Sequence, residues 1–260
     1  DSAFALASAV LDSAVKYAHD TTRFVAFARV TKGRALLEQG KYAEAAAVVA
    51  PVATSAIYKI DASNYLFNDF PGSTSWDQGG YNIAIRDREG GNGLPFASAQ
   101  DPRVPTFAAG TSAIDTTDTL YRTTKYSSDQ SPFILASGIE ARLIEAEAAL
   151  HANDPNWLTI LNTLRATAIS PGMAPLVDPV TPAARVDLLY SERAFWLFFT
   201  GRRLGDLRRL IRNYGRNPET VFPTGPYPAG GTYGTATAIP FILKGQQLSN
   251  PNITTGCTTR

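Results

Sequence analysis

Apolar residues recur at helical spacing in several stretches of the chain, and between them the pattern lapses into turn-forming sequence. From residue 3 to 18, Phe4, Leu6, Ala7, Val10, Leu11, Ala14, Val15 and Ala18 fall on one face, which predicts an amphipathic helix. Asp20-Thr21-Thr22 breaks the pattern and supplies a cap for a second helix over Arg23 to Gln39. Gly40 ends it. A third helix follows from Tyr42 to Thr54, or only to Val49 if Pro51 stops it. Residues 23–54 therefore predict a short-loop helical hairpin. Ala28, Gly33, Ala35 and Ala45 are small enough for close approach, and Leu36, Leu37 and Tyr42 fill the seam.

The pattern returns further along. Helices are predicted at 133–151 and 155–168, with Asp154 as the cap and Pro155 at the first helical position. Setting Ala28-Arg29-Val30 on Ala141-Arg142-Leu143 also sets Gly33 on Ala146, Ala35 on Ala148 and Leu37 on Leu150. One hairpin cannot bury its apolar face alone, so two copies (23–54 and 133–168) imply stacking. In the stretch 186–212, Val186, Leu189, Tyr190, Trp196, Leu197 and Phe199 form a wide face. Gly201 is placed to end that helix, and a shorter one starts near Leu204. Glu192, Arg193, Arg202, Arg203 and Asp206 surround the junction, which predicts a helix corner held by Arg–carboxylate pairs.

Residues 57–132 read differently. Gly, Pro, Ser, Thr, Asp and Asn dominate, with rings recurring from Tyr58 to Tyr126 and short strands predicted at 82–86 and 119–125. An irregular insertion this long, rich in aromatics, is expected to be ordered and to pack or bind. A Pro-rich loop covers 169–183, and a coil-rich segment runs from 213 to 260. The whole of 1–260 is read as a single, mostly α domain.

Composition narrows the chemistry. The formal net charge of +1 gives no bulk attraction to nucleic acid, and Asp206, with Glu192 and Glu219 to either side, offsets the arginines of 202–216. Cys257 is the only cysteine, so no intrachain disulfide or cysteine-rich metal site is expected. His19 and His151 lack ligand spacing, and Asp69, Asp77, Asp87 and Asp101 do not match a calcium loop. No metal or cofactor is expected. Gly90-Gly91-Asn92-Gly93 lacks the context of a phosphate loop, and no serine sits in a nucleophile elbow. Enzymatic activity is therefore not expected. The 20 glycines and 17 prolines fit helical parts joined by long ordered coil.

Several segments taken together resemble the SusD/RagB family of bacterial outer-membrane nutrient-binding proteins. They are Glu192-Arg193, Gly201-Arg202-Arg203 and Asp206-Leu207-Arg208-Arg209; Glu140 to Ala148; Asn162-Thr163-Leu164-Arg165; Lys125-Tyr126; and Ile239-Pro240 with Asn250-Pro251-Asn252-Ile253-Thr254. Trp196, Thr200, Ser137 and Ile139 depart from the family pattern and mark a divergent branch. The resemblance implies a tetratricopeptide-like scaffold with an irregular, ligand-bearing side and long loops. It implies a TonB-dependent outer-membrane transporter as partner and a place at the cell outer membrane. Family members carry a secretion signal, a lipid-attachment cysteine and a further helical region, so a lipid anchor outside this sequence and N-terminal truncation are implied too.

For a glycan, flat rings must stack on sugar faces while planar polar groups meet hydroxyl pairs. Trp76, Asp77, Gln78, Tyr81, Asn82 and Arg86 form the first candidate set, and Tyr227 and Tyr233 a second patch. Arg86, Asp87 and Arg88 are also expected to form solvated pairs, and Arg103 to bridge two loops. The expected function is capture of an oligosaccharide or polysaccharide, or a related nutrient, for delivery to the transporter. The alternative is a helical-repeat scaffold for protein–protein interaction with no small ligand.

Overall fold

The computed structural model describes residues 2–18, 22–60, 85–111, 119–125, 131–226 and 232–233. In chain order its elements are α1 (Ser2–Tyr17), α2 (Thr22–Glu38), α3 (Tyr42–Val49), β1 (Ile57–Ile60), β2 (Thr106–Thr111), β3 (Thr119–Thr123) and β4 (Phe133–Ser137). Then come α4 (Gly138–His151), α5 (Asn156–Thr167), α6 (Pro182–Trp196), α7 (Arg203–Arg212) and α8 (Pro218–Val221). The fold is mostly α. Described residues divide into two compact units: one within 1–83, 101–105 and 123–203, the other within 84–100, 106–122 and 204–260.

The first unit is the helical one. Hairpin α2–α3 packs on hairpin α4–α5 through α3 and α4. Val30, Leu36, Leu37, Val49, Ala141 and Ile144 share its core. Full burial of a side chain such as Leu37 contributes about 1.5–3 kcal/mol. Gly33 is required at the crossing: a Cβ there would stand 2.6 Å from Val49 Cγ1 and 3.1 Å from Ile144 Cδ1. Arg142 donates from Nη2 to the Val49, Ala50 and Val52 carbonyls, satisfying acceptors that the end of α3 leaves open. Tyr42 stacks on His151 with ring centroids 3.9 Å apart.

The structure differs from the expected helix limits in instructive places. Residues 133–137 are not helical; they form β4, which pairs antiparallel with β1, Ile57 opposite Ser137 and Ile60 opposite Phe133. The helix begins at Gly138 because Ser137 Oγ accepts the Glu140 N–H, a side-chain cap that stops helix extending backwards. Gly138 donates to the Ala56 carbonyl, and a Cβ at Gly138 would lie 1.9 Å from the Ala53 carbonyl oxygen. Helix α6 starts at Pro182, inside the segment expected to be loop, because Thr181 Oγ1 caps it. It stops at Trp196, before Gly201. Residues 197–201 form turns in which Phe199 and Gly201 both have positive φ. On α1, Leu6 and Val10 belong to the expected buried face but are exposed.

The second unit is built mainly from loops. In it β2 pairs with β3, and Ile85 makes an isolated antiparallel bridge with Tyr121. Ile85, Ala97, Leu120, Leu207 and Leu210 are buried. Asn217 caps the short helix α8, with Pro218 at its first position.

Candidate ligand-binding surface

In the loop unit, two segments distant in sequence are drawn together by polar side chains. Asn92 donates from Nδ2 to the Phe222 carbonyl at 2.8 Å, and its Oδ1 accepts the Thr224 N–H at 3.0 Å. This amide holds segment 88–93 against 220–225 by replacing the partners that a strand would have supplied. Gly90 sits so close that a Cβ would meet the Thr224 backbone at 2.5 Å, and its φ is +66°. Only glycine meets both demands. Tyr233, its N–H on the Gly225 carbonyl, donates its phenol to Glu89 Oε1 at 3.0 Å. A carboxylate and a ring are thereby presented side by side.

Asp87 closes the neighbouring loop. Its Oδ1 accepts the N–H groups of Ala97 and Ser98 and the Ser98 hydroxyl, at 2.8–3.1 Å. Burial by itself raises the Asp87 carboxyl; the Ser98 and Ala97 donors and the Arg88 charge outweigh it and hold the group below the usual carboxylate value. Asp87 thus serves as a loop closure, beyond the solvated pairing its neighbours suggested.

Of the sequence candidates, Arg86 and Tyr233 lie in this unit, Arg86 next to the Ile85–Tyr121 bridge. Trp76, Asp77, Gln78, Tyr81, Asn82 and Tyr227 lie outside the described residues. Glu89 went unremarked in the sequence, and Asn92 was weighed only as part of a phosphate loop. A lone Asn between glycines carries no periodic signal, although Gly-Gly-Asn-Gly does announce tight turns. Among the described residues no group of three or more His, Cys, Asp or Glu could hold a metal ion.

The charged set around 186–212 has defined partners. Glu192 accepts from Arg103 at 2.5 Å and from Arg165 at 2.8 Å; neither lies in the corner segment itself. Arg103 also grips Asp101, and its guanidinium lies 5.0 Å from the Trp196 ring. Burial opposes the Arg103 charge, but the carboxylates of Asp101 and Glu192 outweigh it and raise its pKa. Arg193 pairs with the fully buried Glu147 at 3.5 Å, and Tyr190 donates to the same carboxylate at 2.8 Å. Arg202 reaches the Leu135 carbonyl at 2.8 Å and Glu140 at 3.7 Å, where Arg34 also binds. Asp206 accepts from Arg209 one turn along α7. Arg203 is also engaged. Asn162 and Arg165, on one face of α5, hold the Leu176 and Ala174 carbonyls and so fix the Pro-rich loop.

Neither a family model nor a curated relative matches the sequence. Solved structures do match. A SusD superfamily protein from Bacteroides vulgatus ATCC 8482 aligns over 75% of this chain and 53% of its own, at 16% identity and a TM-score of 0.50. The fold is SusD-like. A SusD-like protein from Bacteroides fragilis NCTC 9343 aligns over 82% of this chain and 59% of its own, at 15% identity and a TM-score of 0.48. A SusD-like carbohydrate binding protein from Bacteroides vulgatus ATCC 8482 aligns over 72% and 44%, at 16% identity and 0.47. The chain spans about half the length of those structures. Among its described residues no helix is long and apolar enough to cross a membrane.

Proposed function

We propose that this SusD-like chain captures an extracellular glycan or related nutrient by non-covalent binding and passes it to a TonB-dependent outer-membrane transporter. The observation that supports this most is the fold itself, shared over three quarters of the chain with a SusD superfamily protein. The segments from Glu140 to Ala148, at Asn162 to Arg165 and around Glu192 act together as scaffold, which leaves the loop-rich sequence to carry the ligand. Trp76 and Tyr81 supply the stacking rings in this proposal. Asp77, Gln78, Asn82 and Arg86 supply the planar hydrogen-bonding groups, with Tyr227 and Tyr233 as a second patch. In this proposal the chain works at the outer membrane, held there by a lipid anchor carried outside this sequence.

The test is calorimetric titration of a panel of polysaccharides and oligosaccharides into the wild type and Trp76→Ala. At least one glycan is expected to bind the wild type, and loss of the ring is expected to weaken it about tenfold or more. Equal affinity in both proteins would remove Trp76 from the site, and failure of the whole panel would remove the glycan. One observation favours a second reading, a helical-repeat scaffold for a protein partner. Leu6, Val10 and Tyr17 on α1 are 68%, 59% and 65% exposed at spacings that share a helix face. Specific peptide binding lost in Leu6→Asp, with no glycan bound, would decide for that reading.

A further inference from the structure

Within the helical unit a pocket of about 610 Å³ opens between the β1–β4 pair, the start of α4 and the ends of α5 and α6. Its size is that of a small-molecule site. Ile57, Ile134, Ile139, Ala168 and Leu197 give it aliphatic walls, while Thr54 and Ser55, both exposed, stand at its rim. The polar side chains inside the rim already have partners in the protein. Lys125 donates to the Phe198 carbonyl and is engaged elsewhere as well. Glu140 meets Arg34 and Arg202. Thr167 donates to the Thr163 carbonyl at 2.7 Å, and Thr200 to the Leu197 carbonyl at 2.6 Å. Ser137 Oγ accepts the Glu140 N–H at 3.2 Å. The Trp196 indole nitrogen is buried, so Trp196 offers the pocket no donor. A sugar or a peptide would bring hydroxyl or amide groups that these side chains do not meet, and an unmet polar group is costly to bury. Hydrocarbon asks for no such partner, and each methylene it buries strengthens binding about fourfold.

We propose that this pocket binds an aliphatic chain whose single, uncharged polar end lies at the rim. The chain runs inward among Ile134, Ile139, Ala168 and Leu197, and its polar end stays beside Thr54 and Ser55, where water reaches it. A second polar group at the inner end of the chain would meet side chains that are already bonded. A charged end gains nothing, because the charged groups on the wall, Lys125 and Glu140, are engaged within the protein. The proposal does not depend on the glycan reading, because its residues are separate from the candidate glycan set.

Hexanol, octanol, octanoate and octanediol with a hydroxyl at each end of the chain, titrated by calorimetry into the full chain, test it. Octanol is expected to bind at millimolar concentration or below. Hexanol, two methylenes shorter, is expected to bind about tenfold more weakly. Octanediol is expected to lose about tenfold as well, because its second hydroxyl lands inside the pocket without a partner. Octanoate is expected to bind no tighter than octanol. Ala168→Trp, just beyond α5 on the pocket wall, is expected to abolish octanol binding. If circular dichroism shows that Ala168→Trp does not fold, Ile57→Asn replaces it; this wall position is exposed, and the change is expected to weaken octanol several-fold. The proposal is overturned by octanediol or hexanol binding as tightly as octanol, by octanoate binding tighter than octanol, by octanol affinity that survives the wall substitutions, or by no octanol binding at millimolar concentration.

Discussion

The helical unit and the loop unit of this protein are each stabilised by different means. In the helical unit, apolar faces interlock and buried carboxylates are paired with arginines: Glu140 with Arg34, Glu147 with Arg193, Glu192 with Arg103 and Arg165. In the loop unit, single side chains capture backbone groups, as Asn92 does at Phe222 and Thr224 and Asp87 does at Ala97 and Ser98. The first arrangement distributes stability over many contacts. The second concentrates it at a few hydrogen bonds.

Breaking the helical unit at its ion pairs is expected to have the largest effect. Glu192→Ala leaves Arg103 and Arg165 without their shared carboxylate, and Arg103 is nearly buried. A loss of about 3–5 kcal/mol is expected in denaturant unfolding followed by helical circular dichroism. Gly138→Ala forces a methyl group to within 1.9 Å of the Ala53 carbonyl unless the β1–β4 junction opens; about 3 kcal/mol is expected in the same measurement.

Lys125 gives the helical unit a pH signature. Its folded pKa of about 8 lies below the unfolded value of 10.5, so the unfolded chain holds the extra proton between them. The penalty for burying this cation is fully present below pH 8 and is relieved as pH rises toward 10.5. Stability relative to Lys125→Gln should therefore rise by up to about 3 kcal/mol across that window. No change in the difference between the two proteins would contradict the burial of the ammonium.

The smallest effect is expected in the loop unit. Asn92→Ala should cost about 1–2 kcal/mol, from two lost hydrogen bonds and the backbone groups they leave unmet. Hydrogen exchange should show this as faster exchange at Thr224, with α4 and α5 unchanged. A global loss of protection would mean that the two kinds of region are not energetically separate.

The sequence makes the helical unit legible to the extent that it is periodic. Hairpins α2–α3 and α4–α5 follow from spacing, small residues and the cap at Asp154, and Trp157 on α5 is buried. The β1–β4 pair was missed because Phe133-Ile134-Leu135-Ala136 continues into the helix as an unbroken apolar run. Ser137-Gly138-Ile139-Glu140, with a capping residue three ahead of a Glu, was the available boundary signal. Glu192 shows the opposite limit. Its need for an arginine is plain, but Arg103 lies 89 residues away and no local spacing points to it. In the loop unit, the Tyr233–Glu89 contact joins residues 144 apart and is equally silent.

In the proposed function the helices support and the loops bind. Hydrogen–deuterium exchange with and without the tightest glycan of the panel tests it most directly. New protection confined to peptides containing residues 76–89 and 227–233, with α2 to α5 unchanged, is the predicted result. Protection along the α1 face or the hairpins, with those loop peptides unaltered, would contradict it.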